Sequence, residues 1–241
     1  MIKVIVCENY DEISKEAAAI VANQINEKAD SILGLATGST PVGTYKELIE
    51  MNKSGKLDFS KVKTFNLDEY YPIKRDDDQS YYYFMNDNLF SHVNIDLANT
   101  DIPNGEAADA DAECERYEKA IAESAGVDLQ ILGIGQNGHI GFNEPDDKLW
   151  TKTHLTGLTE STIAANSRFF ESMDDVPKAA LTMGIETIMK SRKIIILASG
   201  ESKLDAVSKL TDEFIDTSCP ATMLKLHPDV TLICDKAAFG K

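Results

Sequence analysis

Residues 131–145 read ILGIGQNGHIGFNEP, and they decide how we interpret the fold. The stretch opens inside a mostly apolar run at 129–132, which predicts a buried strand. Four glycines follow at positions 133, 135, 138 and 141, and glycine lets a backbone turn sharply and approach a ligand closely. Asn137, His139 and Glu144 can handle protons or hydrogen bonds. Because a parallel sheet binds ligands at the carboxyl ends of its strands, this loop is a candidate site.

The alternative interpretation of this loop is a tight turn with a histidine on the surface. A single Gly-His pair would favour that alternative. Here the four glycines, together with His139 and with Glu144 held by Pro145, favour a functional site.

Strand-like runs alternate with helical patterns along the rest of the chain. Apolar runs predict strands over residues 2–6, 32–36, 62–66, 128–134, 193–198 and 230–234. Helices are predicted over 10–29, 80–90, 109–125 and 185–190, with one from Thr40 as N-cap to about 51 and one starting at 199–203. The alternation predicts an α/β fold, a three-layer Rossmann-like arrangement of a mostly parallel sheet with helices on both faces. We expect a single domain over 1–241, with a polar and mobile stretch at 146–176 that includes a lid at 158–176.

Composition argues against several classes of partner. The chain has 24 Lys and Arg against 40 Asp and Glu, and its net charge of −16 argues against nucleic acid and anionic membrane surfaces. The four cysteines are scattered without a CxxC pair, which argues against zinc and for reduced thiols in a cytosol. The opening residues, MIKVIV, form too short a run for a signal peptide or a membrane span. We therefore expect a cytoplasmic protein that acts on a small molecule without a metal or other cofactor.

Two further loops have the composition of anion sites. Thr37, Gly38, Ser39 and Thr40 join a strand to a helix start, where hydroxyls and free N–H groups suit a phosphate. The segment is neither a Walker loop nor GxGxxG, and a simple capped turn explains it equally well. Residues 199–203, SGESK, repeat the arrangement and place Lys203 in a first helical turn. A cation is unfavourable there unless it serves an anion, although a solvated lysine is the simpler alternative.

Asp68 and Glu69 follow the strand at 62–66, at the edge where functional groups are expected. A carboxylate there can act as the base for a proton next to a carbonyl, although a turn acid explains either residue alone. Arg168 lies beside two aromatic residues and, by itself, indicates a surface or packing role. The remaining histidines lack comparable surroundings, and we expect no site role for them: His92, His154 and His227.

Taken together, five motifs resemble the glucosamine-6-phosphate deaminase family. They are GLATGSTP at 34–41, FNLDEY at 65–70, GHIGFNEP at 138–145, NSRFF at 166–170 and LHP at 226–228. The resemblance covers nearly the whole chain. A related lactonase family shares the fold and a Gly-His turn but lacks the GFNEP continuation.

The resemblance implies the conversion of glucosamine 6-phosphate to fructose 6-phosphate and ammonia, a hydrolase reaction that includes an isomerisation. It implies that His139 opens the sugar ring, with Glu144 and Asn137 orienting its imidazole. Asp68 would then carry the proton from C2 to C1 through an enolamine. Because some members have an acid where this chain has Asn137, charge support for His139 rests on Glu144.

The resemblance also implies that the 37–40 loop, Arg168 and Lys203 hold the phosphate, and we count Glu69 among the substrate-binding candidates. The open alternatives are a lactonase or an aldose–ketose isomerase acting on the same sugar phosphates, and a sugar-phosphate sensor. Some family members are hexamers that N-acetylglucosamine 6-phosphate activates through cations shortly after the NEP motif. This chain has His154 and Thr156 there, so we expect an unregulated monomer.

Overall fold

The architecture, seen in a computed structural model, centres on a seven-stranded sheet. The structure describes residues 2–159, 162–163, 172 and 176–241. The described strands are β1 Lys3–Cys7, β2 Ile32–Leu35, β3 Lys63–Asn66, β4 Asp68–Tyr71, β5 Thr100–Asp101, β6 Leu129–Gly133, β7 His154–Gly157, β8 Ala179–Thr182, β9 Lys193–Ala198 and β10 Val230–Asp235. The described helices are α1 Tyr10–Glu27, α2 Val42–Lys53, α3 Tyr81–Asn88, α4 Ala110–Glu123, α5 Ile185–Met189, α6 Leu204–Thr211 and α7 Lys236–Phe239.

The large sheet runs in the order β1-β10-β9-β6-β2-β3-β5, and all its neighbouring strands are parallel. Successive side chains of a strand point to opposite faces, so each central strand contributes to two apolar layers. Leu33 and Ile131 pack in the layer that contains α1, α2 and α3, whereas Ile32 and Leu132 pack in the layer that contains α4 and α6. The sheet is therefore covered on both faces, and the predicted three-layer α/β fold is confirmed.

The chain reverses its direction across the sheet between β2 and β6. After β2 it passes through α2 to β3 on one side, whereas after β6 it continues to β9 on the other side. Such a reversal opens a crevice beyond the carboxyl ends of the strands. The loops that follow β2, β6 and β9 therefore lie side by side at one edge. They are the three candidate loops at 37–40, 131–145 and 199–203.

A second, smaller sheet was not predicted. It is antiparallel, in the order β4-β8-β7, and its middle strand places Thr182 opposite Asp68 on one side and opposite His154 on the other. Its strand β7 lies within the stretch 146–176, which was predicted to be polar and mobile and for which no strand was predicted. Most of the predicted lid at 158–176, Arg168 included, lies outside the described residues.

The start of α2 also differs from the prediction. The helix begins at Val42, and its N-cap, Pro41, makes no side-chain capping hydrogen bond, so capping by Thr40 is wrong. The hydroxyl of Tyr10 accepts a hydrogen bond from the Gly43 N–H at 2.8 Å instead. A side chain from α1 thus satisfies one of the free amides that every helix start exposes.

The other predicted strands and helices occur within a few residues of their expected bounds. Within the part of the chain that the structure describes, no helix combines the length and the apolar character that a membrane crossing requires.

Candidate active site

Asp68 is the first residue of β4 and is buried, with only 6% of its surface exposed. Burial, with a further contribution from the charge of Glu69, raises the pKa of Asp68 to about 8. A carboxyl group with a pKa in this range can both take up and return a proton near neutral pH. The environment of Asp68 therefore suits the predicted carbon base.

Glu69 points away from Asp68, because successive residues of a strand face opposite sides. Its Oε1 accepts hydrogen bonds from the N–H groups of Tyr70 and Tyr81 at 2.9 and 2.8 Å, and its Oε2 accepts one from Tyr82 at 2.9 Å. Burial raises the pKa of Glu69 to about 7, although these donors favour the charged form. The carboxylate thus holds the start of α3.

The loop after β6 brings Asn137, His139 and Glu144 together. The His139 Nδ1 lies 3.3 Å from the Glu144 Oε2, a close electrostatic contact that is not aligned as a hydrogen bond. The Asn137 amide nitrogen donates to the same oxygen at 2.7 Å, and its Oδ1 accepts from the backbone N–H of His139 at 3.2 Å. Asn137 therefore ties the carboxylate to the loop backbone. The imidazole remains 28% exposed, so a substrate can reach it.

Glu144 is the anionic member of this cluster. Burial alone would raise its pKa, but the nearby imidazole of His139 and the hydrogen bonds from Thr162 and Asn137 outweigh burial and lower the pKa to about 2. The Thr162 hydroxyl donates to Oε1 at 2.5 Å, which leaves Oε2 to Asn137 and His139. A fixed negative charge thus lies beside the ring that is expected to move protons.

The turn that carries His139 depends on a glycine at position 138. Gly138 has φ of +81°, a conformation that residues with a side chain rarely adopt. A Cβ there would lie only 2.1 Å from the sulfur of Cys219. The Gly138 carbonyl also accepts the N–H of Ala221 at 2.8 Å. The segment that begins at Cys219 therefore packs against the loop that carries His139.

Hydrogen bonds with neighbouring elements hold the two candidate anion-binding loops. The Tyr10 hydroxyl lies 3.0 Å from the carbonyl oxygens of both Ser39 and Thr40, so α1 supports the loop after β2. In the loop after β9, the buried Asp235 accepts hydrogen bonds from the Ser199 hydroxyl at 2.6 Å and from the Gly200 N–H at 2.9 Å. Each loop is thus held by a neighbouring element rather than by its own residues alone.

The predicted phosphate-binding residues that the structure describes lie at the carboxyl edge of the large sheet. Thr37 and Gly38 follow β2, and Lys203 ends a short 3-10 turn, Glu201–Lys203, that leads into α6. Arg168 lies outside the described residues. The 37–40 loop follows β2 and Lys203 follows β9, and these two strands are the neighbours of β6, which leads into the His139 loop.

The other three histidines contact backbone carbonyls or an aromatic ring. The buried His227 pairs its Nε2 with the Ser191 carbonyl at 2.7 Å, and the exposed His92 contacts the Asp87 carbonyl at 2.8 Å. His154 is buried, which lowers its pKa, and its ring stacks on Trp150 with 5.2 Å between centroids. Among the described residues, none of these three side chains is hydrogen-bonded to Asn137, His139 or Glu144.

This site and fold match a known protein family. The model for glucosamine-6-phosphate isomerases/6-phosphogluconolactonase matches residues 8–233. The chain belongs to this family of sugar-phosphate enzymes, as the sequence motifs predicted.

Within the family, the similar relatives are glucosamine-6-phosphate deaminases. The chain is 57% identical over 236 residues to that of Halothermothrix orenii, with 98% of each chain covered. It is 56% identical over 239 residues to that of Clostridium botulinum, covering 99% of this chain and 98% of the relative.

Solved structures agree with these relationships. A monomeric glucosamine-6-phosphate deaminase superposes with a TM-score of 0.97 at 48% identity, over 99% of both chains. A 6-phosphogluconolactonase from Thermotoga maritima, at 21% identity and a TM-score of 0.77 over 98% of this chain and 100% of the other, shares the fold. The similar relatives are named for deamination and the family for isomerisation, so the expected classification as a hydrolase is not supported.

Proposed function

We propose that this protein is an isomerising deaminase that converts glucosamine 6-phosphate and water to fructose 6-phosphate and ammonia. One observation carries the proposal: the loop that holds His139 passes directly over Asp68. A Cβ added at Gly141, two residues after His139, would lie 3.6 Å from the Asp68 Oδ2. The loop that carries a candidate ring-opening group therefore lies against a candidate carbon base, as a sequence of proton transfers on one sugar requires.

Ring opening is the first step in this proposal. His139 takes the proton from the anomeric hydroxyl and returns one to the ring oxygen, which gives the open-chain aldehyde. The Glu144 carboxylate, 3.3 Å from the imidazole, stabilises the protonated ring during this transfer. Asn137 cannot ionise, so it orients Glu144 and adds no charge.

Isomerisation and deamination follow. Asp68 removes the proton from C2, and the electron pair forms the C1–C2 double bond. The C1 carbonyl oxygen takes up a proton from the ammonium group of the substrate, which gives an enolamine. Protonation at C1 moves the double bond to C2 and nitrogen, giving an imine. Water adds to C2 and ammonia leaves, which gives the ketose. The ionised Asp68 accepts the proton from C2 in the first of these transfers, and the carboxyl group so formed donates it to C1 in the second.

In this proposal, binding of the substrate's phosphate group positions the reacting carbons. In our proposal the hydroxyls and amides of the 37–40 loop bind it, together with Lys203 and Arg168. Binding energy from this unreactive group can be used to orient C1 and C2 against Asp68. We expect unphosphorylated glucosamine to be a poor substrate for this reason.

The direct test couples ammonia release to fructose 6-phosphate formation with glucosamine 6-phosphate as substrate. Parallel reactions with 6-phosphogluconolactone test the lactonase alternative. Stoichiometric ammonia and ketose would support the proposal. Binding of the sugar phosphate without turnover would favour a sensor instead, and hydrolysis of the lactone alone would favour a lactonase.

We further propose that the protein acts as an unregulated monomer. The similar solved structure is of a monomeric enzyme. In the segment after Glu144, His154 and Thr156 stand at the positions where the regulated members carry cations for a second phosphate. His154 is moreover buried, with its Nδ1 engaged by the Lys152 carbonyl at 2.9 Å. Light scattering should show one chain, and saturation curves should be hyperbolic with and without N-acetylglucosamine 6-phosphate. A sigmoidal curve that the effector makes hyperbolic would contradict this proposal.

A further inference from the structure

We propose that Thr182 is a positioning residue that fixes the loop carrying His139 against the strand carrying Asp68. Thr182 ends β8, the middle strand of the small sheet, and it is fully buried. The inference deepens the proposed deaminase function and rests on it. Thr182 itself does not contact the substrate in this account.

On the strand side, Thr182 lies directly opposite Asp68 in the antiparallel pair of β4 and β8. Residues in such a pair share one face of the sheet, with Cβ atoms about 4.5–5.5 Å apart. The side chain of Thr182 is therefore the lateral neighbour of the candidate base. Glu69, which points to the opposite face, cannot fill this position.

On the loop side, the Thr182 hydroxyl oxygen accepts a hydrogen bond from the backbone N–H of Phe142 at 3.1 Å. A Cβ at Gly141 would lie 2.8 Å from this oxygen and 3.6 Å from the Asp68 Oδ2. One point on the loop thus approaches both side chains at once. The missing side chain at Gly141, which has φ of +57°, is what allows the loop to come so close.

The neighbouring backbone shows that Thr182 is part of a larger anchor. The Met183 carbonyl accepts the side-chain amide of Asn143 at 2.8 Å, and the Met183 N–H donates to the Leu67 carbonyl at 2.8 Å. These bonds hold the loop and β4 in the absence of the Thr182 hydroxyl. A variant without the hydroxyl should therefore fold, but its Phe142 amide loses its acceptor and the loop shifts relative to Asp68.

The decisive experiment compares Thr182→Val, which keeps the shape and removes the hydroxyl, with Thr182→Ser, which keeps the hydroxyl. We expect the valine variant to lose ~10- to 100-fold in kcat, since misplacement on the order of 1 Å can cost about 100-fold. KM should stay within about twofold because the phosphate loops lie on other strands. The serine variant should recover most of kcat. Wild-type kcat in the valine variant, or equal losses in both variants, would overturn the proposal.

A matched control removes a buried threonine hydroxyl elsewhere. Thr187 on α5 is also buried, and its hydroxyl donates to Glu118 on α4 at 2.5 Å rather than to the loop. Thr187→Val should leave kcat near the wild-type value even where it lowers the melting temperature. A kcat loss in the control equal to that of Thr182→Val would show a general effect of stability and overturn the positioning role.

A second measurement does not depend on catalysis. Hydrogen exchange at the Phe142 amide, followed by NMR on the substrate-free protein, should be faster in Thr182→Val and near wild type in Thr182→Ser. Unchanged protection in the valine variant would overturn the anchoring role even if the enzyme is active. Failure of the wild-type protein to release ammonia would overturn the proposed function alone, and this exchange experiment would still decide the anchor.

Discussion

Replacing Asp68 with Asn removes a buried group that the fold keeps protonated. The pKa of Asp68 is about 8 in the folded protein, against an ordinary value of 3.8. Between these values the unfolded chain is ionised at this position and the folded protein is not. The folded state therefore binds more protons, and the wild-type free energy of unfolding falls as pH rises. One proton bound only in the folded state changes the free energy of unfolding by ~1.4 kcal/mol per pH unit. The titration of Asp68 therefore lowers the free energy of unfolding by up to ~4 kcal/mol between pH 5 and pH 8.

Urea unfolding at several pH values isolates this contribution. Other groups titrate in both proteins, so the free energy of unfolding of Asp68→Asn minus that of the wild type should grow by up to ~4 kcal/mol from pH 5 to pH 8. Asp58→Asn is the matched control: Asp58 is exposed, and hydrogen bonds from Ser60 and Asn94 lower its pKa, so both folded and unfolded states are ionised in this range. The difference for that control should be flat.

The same variant tests the chemical role. Wild-type kcat/KM should rise with pH through about 8, as Asp68 of the free enzyme loses its proton. The cationic amine of the bound substrate favours the carboxylate, so kcat should rise at lower pH than kcat/KM. Asp68→Asn should lose ~10²- to 10⁴-fold in kcat while still binding substrate.

Two results would refute this reasoning. A stability difference that does not change with pH would show that the fold does not hold Asp68 protonated. Near-normal turnover in Asp68→Asn would remove Asp68 as the base. Glu69 would not be the substitute, because its oxygens hold the start of α3 on the other side of the strand.

Three further changes test other parts of the site. Glu144→Gln should lower kcat. Since the pKa of Glu144 in the folded protein is about 2, the carboxylate stabilises the fold at pH values above its ordinary pKa of 4.5, and this stabilisation is lost as pH falls toward 2. The free energies of unfolding of the two proteins should therefore converge near pH 2, and a constant difference would contradict the contact with His139. Lys203→Ala should raise KM for glucosamine 6-phosphate by ~10-fold or more, since a hydrogen bond from a charged group contributes about 1.5–3 kcal/mol; an unchanged KM would remove Lys203 from the phosphate site. Gly138→Ala should destabilise the fold by ~1–3 kcal/mol through its positive φ and its contact with Cys219. Thermal melting checks this last change, and adding Cys219→Ala should restore the part due to the contact.

The large sheet and its functional edge could be predicted from sequence because both depend on local patterns. A run such as 193–198 is apolar throughout, which only a strand buried on both faces requires, and it forms β9 as expected. The glycine-rich loop after β6 follows a strand, so the carboxyl-edge rule places it without knowledge of any tertiary contact. Asn137, His139 and Glu144 lie close together in sequence, and their convergence needed only a tight loop.

The small sheet could not be predicted because its strands are defined by pairing between distant segments. β4 and β7 are short and carry Asp68 and His154 at buried positions, so neither has the apolar pattern of a strand. Without β4, the alternation that turns Asp68 and Glu69 to opposite faces of a strand could not be predicted. Thr162 and Thr182 were missed for the same reason: nothing in sequence distinguishes them from other threonines until the fold brings them to Glu144 and Phe142.

Trp150 gives the protein an optical reporter of its own. It is the only tryptophan of the chain, and it follows the loop of His139 and Glu144 by a few residues. Its indole stacks on the buried imidazole of His154 and is itself 63% exposed. A protonated imidazole quenches indole emission, so the fluorescence of the unlabelled protein tracks the charge on His154. All tryptophan emission therefore comes from a single position, on the segment between the His139 loop and β7, and stopped-flow mixing with substrate reports changes there without any added dye.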